Sequence, residues 1–390
     1  RPYKHQESMN KTEAEIYASL PKAAYVLHED KLIKNLELIK RVKDEAGISI
    51  ILALKGFSMW KMFPLVYDYL DGATASSLYE AKLIHEEMGC KAHTYCAAYT
   101  DYDFDELASI SEHMVFNSIG QYLHFKKKLK SEYPNVSCGL RVNPGFSKVE
   151  VDMYNPTAPG SRLGIDASHL IDGLPEGIEG IHFHALCESS SYDLEETLAV
   201  FEQKFGHLLP HIKWVNMGGG HLMTRKGYDT DHLIKVLKNF KEKYNVNIIL
   251  EPGSAIAWQT GDLVSNIIDI VENHGIKTIM TDVSFTAHMP DTLEMPYRPD
   301  IAGTTDEIND HRYRIGGTSC LSGDFMYEYN FDFEPRIGDQ IIFRDMIHYT
   351  VVKTTMFNGV NHPDIYLLKK DGTLDCMRNF TYNDYKKRMN

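Results

Sequence analysis

The chain has 390 residues, 43% of them hydrophobic and 24% charged, a composition typical of a globular protein that is long enough for two domains. Its formal net charge of -13 argues against nucleic acids and membrane surfaces as partners, because both attract clustered lysine and arginine. The six cysteines form no CxxC pair, and no signal peptide or apolar run of about twenty residues is evident. We therefore expect a cytoplasmic protein that acts on a small molecule and contains neither a zinc ribbon nor a disulfide framework.

The first predicted elements are a strand at residues 24–28 and a helix after it. Leu32, Leu36 and Ile39 recur at helical spacing, and Gly47 is suited to end this helix. Strand and helix patterns then alternate along the chain. The predicted strands cover residues 48–55, 70–75, 93–98, 113–117, 136–142, 178–184, 213–217 and 247–251, and the helical patterns between them include 76–88, 120–133, 194–207 and 231–244.

Roughly eight strand–helix units with buried parallel strands predict a (β/α)8 barrel, which we assign to residues 24–258. A doubly wound open sheet is the alternative, because strand count alone does not separate the two architectures. Beyond residue 260 strand patterns follow one another with little helix between them, at residues 277–283, 340–343 and 349–355. This predicts a mainly antiparallel β domain over residues 259–390, to which we add residues 9–23.

Lys55 directly follows an apolar run at residues 50–54 and precedes Gly56. It is thus predicted to lie at the mouth of a buried strand. Desolvation lowers the pKa of an amine and leaves it nucleophilic at neutral pH, which suits Schiff-base chemistry. The alternative is a lysine that merely extends its charge into solvent from a strand end.

Two motifs at later strand ends match what a pyridoxal phosphate site needs. Gly218, Gly219 and Gly220 follow a strand, and three glycines there would let backbone N–H groups approach a phosphate. Glu251 ends another apolar strand, where a carboxylate can keep a pyridine nitrogen protonated. Taken singly, the glycines could be a flexible turn and the glutamate a cap or an ion-pair partner.

His182 and His184 are two residues apart, so on a strand both side chains point to the same face. One of them could stack on a cofactor ring, or the pair could bind a metal as the HxH motif of barrel metallohydrolases does. No convincing set of further metal ligands stands at neighbouring strand ends, so we expect no metal. A core histidine is the alternative interpretation of His182.

Taken together, these motifs resemble the fold type III, alanine racemase-like group of pyridoxal phosphate-dependent decarboxylases, which includes ornithine and diaminopimelate decarboxylases. Within that group, residues 182–188 and 288–299 are similar to those of the carboxynorspermidine/carboxyspermidine decarboxylases. The resemblance covers essentially the whole chain from about Ala24. The motifs that carry it are residues 53–55, 182–184, 218–220, 251–253, 320–324 and 345–349.

The resemblance implies pyridoxal 5'-phosphate as cofactor and gives each matching residue a role. Lys55 would bind the cofactor aldehyde as a Schiff base, His184 would stack on the ring, and Glu251 would pair with the pyridinium. Cys320 would be the general acid that protonates the α-carbon after carbon dioxide leaves. The remaining cofactor contacts would come from Arg141, Gly218, Gly219, Gly220 and Tyr349. The family also implies a homodimer with shared active sites, in which Cys320 meets Lys55 across subunits or from the second domain.

Three departures from ornithine decarboxylase-like relatives bear on the substrate. Ser254 stands where they carry an arginine that contacts the phosphate, and Thr74 where they often carry an aspartate near the cofactor. Leu321 replaces an acidic residue that binds a substrate amine, which argues against ornithine, arginine or diaminopimelate. Candidate carboxylates for the amines of a longer substrate are Asp324, Glu294, Asp291 and Glu188.

We therefore expect decarboxylation of carboxynorspermidine, carboxyspermidine or both in polyamine biosynthesis. The nearest alternatives are another enzyme of the same fold type, either a decarboxylase of the diaminopimelate or ornithine type or a racemase. A noncatalytic polyamine-pathway homologue is a further alternative, although such a protein would be expected to lose Lys55 or Cys320. A metallohydrolase barrel is the rival from another class of enzyme.

Overall fold

The computed structural model describes residues 11–390. The chain divides into two compact units, a barrel unit at Lys34–Ile256 and a β unit that comprises the described residues up to Ile33 together with Ala257–Asn390. No helix within the described residues is long and apolar enough to cross a bilayer.

The barrel unit contains a sheet of parallel strands that closes on itself. The closing strand is interrupted at Ile51: Ser49–Ile50 pairs with Asn247–Leu250 on one side, and Leu52–Ala53 pairs with Ala73–Ala75 on the other. The predicted (β/α)8 barrel is therefore confirmed, and the open sheet is not observed. The barrel strands in chain order are Ser49–Ile50 with Leu52–Ala53, Ala73–Ala75, Ala92–Tyr95, Ser111–Phe116, Ser137–Asn143, Ile178–His182, Trp214–Asn216 and Asn247–Leu250.

Helices alternate with these strands, as the apolar periodicity predicts. The predicted helix at 76–88 is present, although its last turn, Ile84–Met88, is a π-helix that ends at Gly89 in the left-handed conformation. The α-helices of at least five residues from residue 29 to residue 244 are Glu29–Ala46, Phe63–Tyr67, Leu78–Leu83, Asp101–Ser109, Ile119–Glu132, Ser191–Phe205 and Thr230–Tyr244.

Trp214 fills the barrel interior below the site. Its indole packs with Ile51, Val115 and Ile249. Two facing strand residues are glycines because the ring lies against their backbone: a side-chain carbon would lie 2.4 Å from the ring at Gly139 and 2.1 Å at Gly180. The indole therefore closes the barrel core, and polar side chains occupy the layer nearer the carboxyl ends of the strands.

The β unit is built on a mainly antiparallel sheet. Its first strand, Ala24–His28, pairs antiparallel with Gly261–Asn273 and parallel with Asp364–Leu368. The division of the chain therefore differs from the predicted one, which placed residues 24–33 in the barrel, because the pairing partners of this strand come from the far end of the sequence. The other strands of the sheet are Ile276–Thr281, Thr304–Thr305, Arg312–Gly316, Phe325–Phe331, Gln340–Phe343 and Leu374–Arg378.

The predicted strand at residues 349–355 is wrong. Tyr349 has a positive φ of 58°, which an extended strand does not allow, and Val351–Lys353 forms a short 3₁₀ helix. The α-helices of this unit are also short: Lys11–Ala18, Phe285–His288, Asp291–Glu294 and Tyr382–Lys386.

Candidate active site

A cavity of about 300 Å3 opens at the carboxyl ends of the barrel strands. Active sites of (β/α)8 barrels occur at this end. Four residues predicted from the sequence, Lys55, Arg141, His184 and Glu251, line this one cavity. Its remaining lining consists of Ala53, Leu54, Thr74, Ser76, Tyr95, Ala97, Arg162, Leu163 and His182.

Lys55 lies in a turn immediately after the closing strand, where the Gly56 N–H donates to the Ala53 carbonyl at 3.0 Å. Its side chain is reachable by solvent through the open cavity. Protein atoms surround it on the other sides, and this desolvation lowers the pKa of the Lys55 amine, although Glu251 acts in the opposite direction. The amine is therefore more readily deprotonated, and hence more nucleophilic, than a surface lysine.

Glu251 is a buried carboxylate with two polar neighbours. Its Oε1 lies 3.2 Å from Nε2 of His182, and its Oε2 accepts a hydrogen bond of 3.2 Å from the Asn216 amide. Burial alone would raise the pKa of Glu251, but the neighbouring His182, His93 and Lys55 outweigh burial and lower the pKa overall. Glu251 is thus held ionised at neutral pH.

His184 is fixed by the glycine triplet. The Gly219 N–H donates to Nδ1 of His184 at 3.1 Å, which places the ring proton on Nε2. Burial lowers the pKa of His184 well below its ordinary value, so the ring is neutral. A side-chain carbon on Gly218, whose φ is +68°, would lie 2.8 Å from the same Nδ1, so only glycine fits this position.

A smaller recess lies on the other side of the glycine triplet. Gly220 contributes to it, whereas the N–H groups of Gly218 and Gly219 already donate to Asn216 and His184. Glu188, with a positive φ of 45°, lies on this recess and not in the main cavity. The recess is lined by Glu188, Gly220, His221, Leu222, Gly253, Ser254 and Ala255.

His182 is a buried histidine beneath the cavity. Its ring lies 5.5 Å from the Tyr95 ring in an edge-to-face arrangement. Neither ring nitrogen makes a well-directed hydrogen bond within residues 11–390, so the 3.2 Å approach to Glu251 is a close polar contact. Burial lowers the pKa of His182. In the described part of the chain no group of three or more His, Cys, Asp or Glu side chains could hold a metal.

Asp324 belongs to the β unit and is almost completely buried. Its two carboxylate oxygens accept five hydrogen bonds, from the hydroxyl groups of Ser284 and Ser319 at 2.8 and 2.5 Å and from the N–H groups of Phe285, Thr286 and Ser319 at 2.8 to 3.2 Å. These internal donors occupy the lone pairs that a substrate amine would need. The geometry thus favours a role in ordering the surrounding loops over the predicted substrate contact.

Asp291 and Glu294, two other predicted substrate ligands, share one lysine in the β unit. The Lys353 amine lies 2.6 Å from Oδ1 of Asp291 and 2.8 Å from Oε2 of Glu294. Both residues belong to the short helix Asp291–Glu294, which places the two carboxylates on one side of the lysine. The pair therefore already holds one primary ammonium group.

Cys320 and Tyr349 are also in the β unit. Cys320 is exposed, and its backbone N–H donates to Oδ1 of Asn358 at 2.6 Å. Tyr349 takes the left-handed backbone conformation, and its ring lies edge-on to that of His348. Within the barrel unit, Arg141 stacks its guanidinium 4.9 Å from the Tyr95 ring centroid.

Several polar residues of the barrel site were not predicted. His93 and Asn216 lie behind Glu251, and Tyr95 and Arg162 line the cavity. His93 and Tyr95 alternate along one strand, so their shared inward face was a detectable signal. Asn216 stands two residues before the glycine triplet at the end of an apolar strand, which marks it in the same way. Arg162 lies in a long irregular segment, and nothing in the local pattern identifies it.

Comparison with known proteins places the whole chain within one group. A family model described as "Pyridoxal-dependent decarboxylase, C-terminal sheet domain" matches residues 65–347. The carboxyaminopropylagmatine decarboxylase of Synechocystis is 47% identical over 95% of this chain and 96% of that protein. The carboxynorspermidine/carboxyspermidine decarboxylase of Campylobacter jejuni is 44% identical over 95% of this chain and 99% of that protein. The crystal structure of the C. jejuni carboxynorspermidine decarboxylase complexed with norspermidine superimposes with a TM-score of 0.88 at 43% identity, covering 95% of this chain and 100% of that one.

Proposed function

We propose that this chain, which belongs to the pyridoxal-dependent decarboxylase family, removes the α-carboxylate of an amino acid with a long polyamine side chain, namely carboxynorspermidine or carboxyspermidine. The single observation that carries the proposal is the cavity in which Lys55, His184 and Glu251 come together. Near-complete coverage at 44% identity to a carboxynorspermidine/carboxyspermidine decarboxylase supports the choice of substrate.

The residues of the cavity fit pyridoxal phosphate, the cofactor of the family. An amine with a lowered pKa and an ionised buried carboxylate meet the needs of the aldehyde and of the pyridine nitrogen. We assign the phosphate to the recess at Gly220, because the other two N–H groups of the glycine triplet already have acceptors. Gly253 and Ser254 line the same recess, and Ser254 stands where ornithine decarboxylase-like relatives are expected to carry an arginine.

When bound, the cofactor supplies a conjugated ring that takes up the electron pair left when carbon dioxide departs. Glu251, being ionised, keeps a positive charge on the ring nitrogen and so favours this transfer. His184 presents a neutral ring whose orientation is set by the Gly219 N–H. Lys55 would hold the cofactor aldehyde, and its amine, when free, could hold a proton beside the substrate amine.

We assign the final protonation of the α-carbon to Cys320 of a partner subunit. The Cys320 thiol is exposed, and Leu321, Phe325 and Phe357 of the same unit are exposed apolar side chains. Exposed apolar side chains that lie together are typical of a surface that a partner covers. A homodimer with shared active sites accounts for both features.

We assign binding of the distal amines of the substrate to Asp291 and Glu294. Buried cationic amines need charged partners, since an unpaired charge is expensive to desolvate. These two carboxylates already hold the Lys353 amine, which has the same chemistry as the primary amine of a polyamine, so a substrate amine would share or replace that contact. Asp324 is assigned no substrate contact because its oxygens are already occupied.

A second candidate substrate is carboxyaminopropylagmatine, favoured by the 47% identity to the Synechocystis enzyme. It carries a guanidinium group at its distal end, and two adjacent carboxylates can accept the several parallel N–H donors of such a group. The reacting α-amino acid end has the same chemistry in both candidates, so the barrel cavity does not distinguish them.

A substrate panel tests the proposal. Purified protein loaded with pyridoxal phosphate should release carbon dioxide from carboxynorspermidine, carboxyspermidine or carboxyaminopropylagmatine far faster than from ornithine, lysine or diaminopimelate. Lys55→Ala should abolish both the turnover and the cofactor absorbance near the edge of the visible range, whereas Lys61→Ala, at an exposed position, should change neither. Equal turnover of ornithine and the long substrates would overturn the assignment.

A further inference from the structure

We propose that Asn216 is a positioning residue that fixes the orientation and the charge of Glu251, with His93 holding the Asn216 amide in place. The side-chain amide of Asn216 contacts three parts of the site. Its Oδ1 accepts from the Gly218 N–H at 2.8 Å, and its Nδ2 donates to Oε2 of Glu251 at 3.2 Å and to Nε2 of His93 at 3.1 Å. Asn216 is fully buried, so water does not compete for these bonds.

The orientation of this amide is determined twice over. The Gly218 N–H is a donor and requires the carbonyl oxygen of Asn216, whereas the Glu251 carboxylate is only an acceptor and requires the NH2 group. A rotated amide would lose both bonds at once. One side chain therefore links the glycine triplet, which also orients His184, to the carboxylate assigned to the pyridine nitrogen.

The next contact fixes the protonation of His93. Because Nε2 of His93 accepts from Asn216, the ring carries its proton on Nδ1, which lies 3.0 Å from Nδ1 of His113. Burial and the neighbouring His113 lower the pKa of His93 to about 3. A neutral His93 is an acceptor that holds the Asn216 NH2 group without adding a charge near Glu251.

Asparagine is the residue that this geometry requires. Aspartate has the same shape and could still accept from Gly218, but its second oxygen would face the Glu251 carboxylate across the present 3.2 Å contact. Two carboxylates at this distance repel, and one of them must take up a proton. Asn216→Asp is therefore nearly isosteric, yet it should destabilise the negative charge of Glu251 that the Asn216 amide stabilises.

The inference rests on the proposed role of Glu251 but not on the substrate, so its tests use no substrate. Cofactor binding to the full-length protein is followed by absorbance, and the melting temperature of the cofactor-free protein is measured at several pH values. We expect Asn216→Asp to weaken cofactor binding by about tenfold or more, as the loss of a charged hydrogen bond implies. Its melting temperature should fall below that of the wild type by about 2 °C or more at neutral to alkaline pH.

The pH dependence of the melting temperature distinguishes an effect of charge from an effect of altered packing. A buried carboxylate pair with a raised pKa becomes doubly charged, and so destabilises the fold, as pH rises. The difference in melting temperature between wild type and Asn216→Asp should therefore become smaller as pH falls toward about 5. The titratable or charged groups around the contact are His93, His182, His184, His221, Lys55 and Arg141. Burial lowers the pKa of all four histidines and so favours their uncharged forms, which leaves the added carboxylate as the group whose charge changes as pH rises.

His93 supplies an independent pair of variants if Asn216→Asp does not fold. His93→Gln keeps an acceptor for the Asn216 NH2 group, whereas His93→Leu removes it at similar size. We expect His93→Gln to bind the cofactor within about threefold of wild type and His93→Leu to bind it about tenfold more weakly. Equal cofactor binding by wild type and Asn216→Asp, or by the two His93 variants, would overturn the inference and leave the proposed decarboxylation untouched.

Discussion

Gly56 and Gly253 touch backbone to backbone: a side-chain carbon on Gly56 would lie only 2.7 Å from the Cα of Gly253. This contact joins the turn that carries Lys55 to the turn that follows Glu251. The Ala53 N–H also donates to the Pro252 carbonyl at 3.2 Å, so the two turns are in register as well as in contact. The separation of the amine and the carboxylate is therefore set by the absence of a side chain at residue 56.

Gly56→Ala should push these turns apart. We expect weaker cofactor binding and a loss of stability of about 1 to 3 kcal/mol, since the atoms that the added carbon would meet belong to the Gly253 backbone and cannot rotate away. Cofactor titration and thermal unfolding measure the two effects. Gly120→Ala is the matched control, because nothing lies within 4 Å of the added carbon and the residue is in a helix. A Gly56→Ala protein with wild-type affinity and stability would contradict the proposed constraint.

Glu251→Gln should retain the fold but lower kcat by about a hundredfold or more, because a neutral amide cannot stabilise the positive ring nitrogen. The lowered pKa of Glu251 also predicts a pH effect on stability. The ionised carboxylate stabilises the folded state above its unfolded pKa of about 4.3, and this contribution is lost as pH falls further. Cofactor-free wild type should therefore lose more stability than Glu251→Gln on acidification. Wild-type turnover by the variant would refute the assigned role.

Mixing inactive variants tests whether the site is shared. Lys55→Ala and Cys320→Ala should each be nearly inactive, and subunit exchange between them should produce heterodimers with one intact site. Random exchange would restore about a quarter of wild-type activity. Each variant mixed with itself is the control. If exchange is demonstrated by labelled subunits and activity stays at zero, Lys55 and Cys320 act within one chain.

The carboxylates around Lys353 should control selectivity for long substrates. Glu294→Gln should reduce kcat/KM for carboxynorspermidine by about tenfold or more but leave the slow turnover of short diamino acids unchanged, because only the long substrate carries the distal amine that Glu294 is proposed to bind. Glu307→Gln, an exposed change in the same unit, serves as the control. Kinetics with both substrate classes on both variants decide the point, and equal losses for long and short substrates would remove Glu294 from the amine site.

The barrel strands could be predicted because buried parallel strands are continuous apolar runs, and all eight predicted segments overlap observed strands. The pairing partners of the strands could not be predicted, because they depend on distant residues. Ala24–His28 was correctly predicted as a strand, but its pairing with Asp364–Leu368 places it in the β unit. For side chains too, positions along the chain could be predicted but contacts with distant residues could not. Lys55 and Glu251 were marked by their positions at strand ends, whereas the hydrogen bonds that occupy Asp324 come from residues 284–286 and Ser319.

The interruption at Ile51 couples assembly of the site to completion of the fold. The N–H groups of Ile51 and Leu52 donate to opposite neighbours, the carbonyls of Leu250 and Gly72, so this short segment is the seam at which the first and last barrel strands meet. Lys55 follows the seam directly, and Glu251 follows the strand on its far side. In a nascent or partly unfolded chain these two groups are far apart. The desolvation that lowers the pKa of the Lys55 amine, and the neighbouring carboxylate, therefore both arise only when the seam closes.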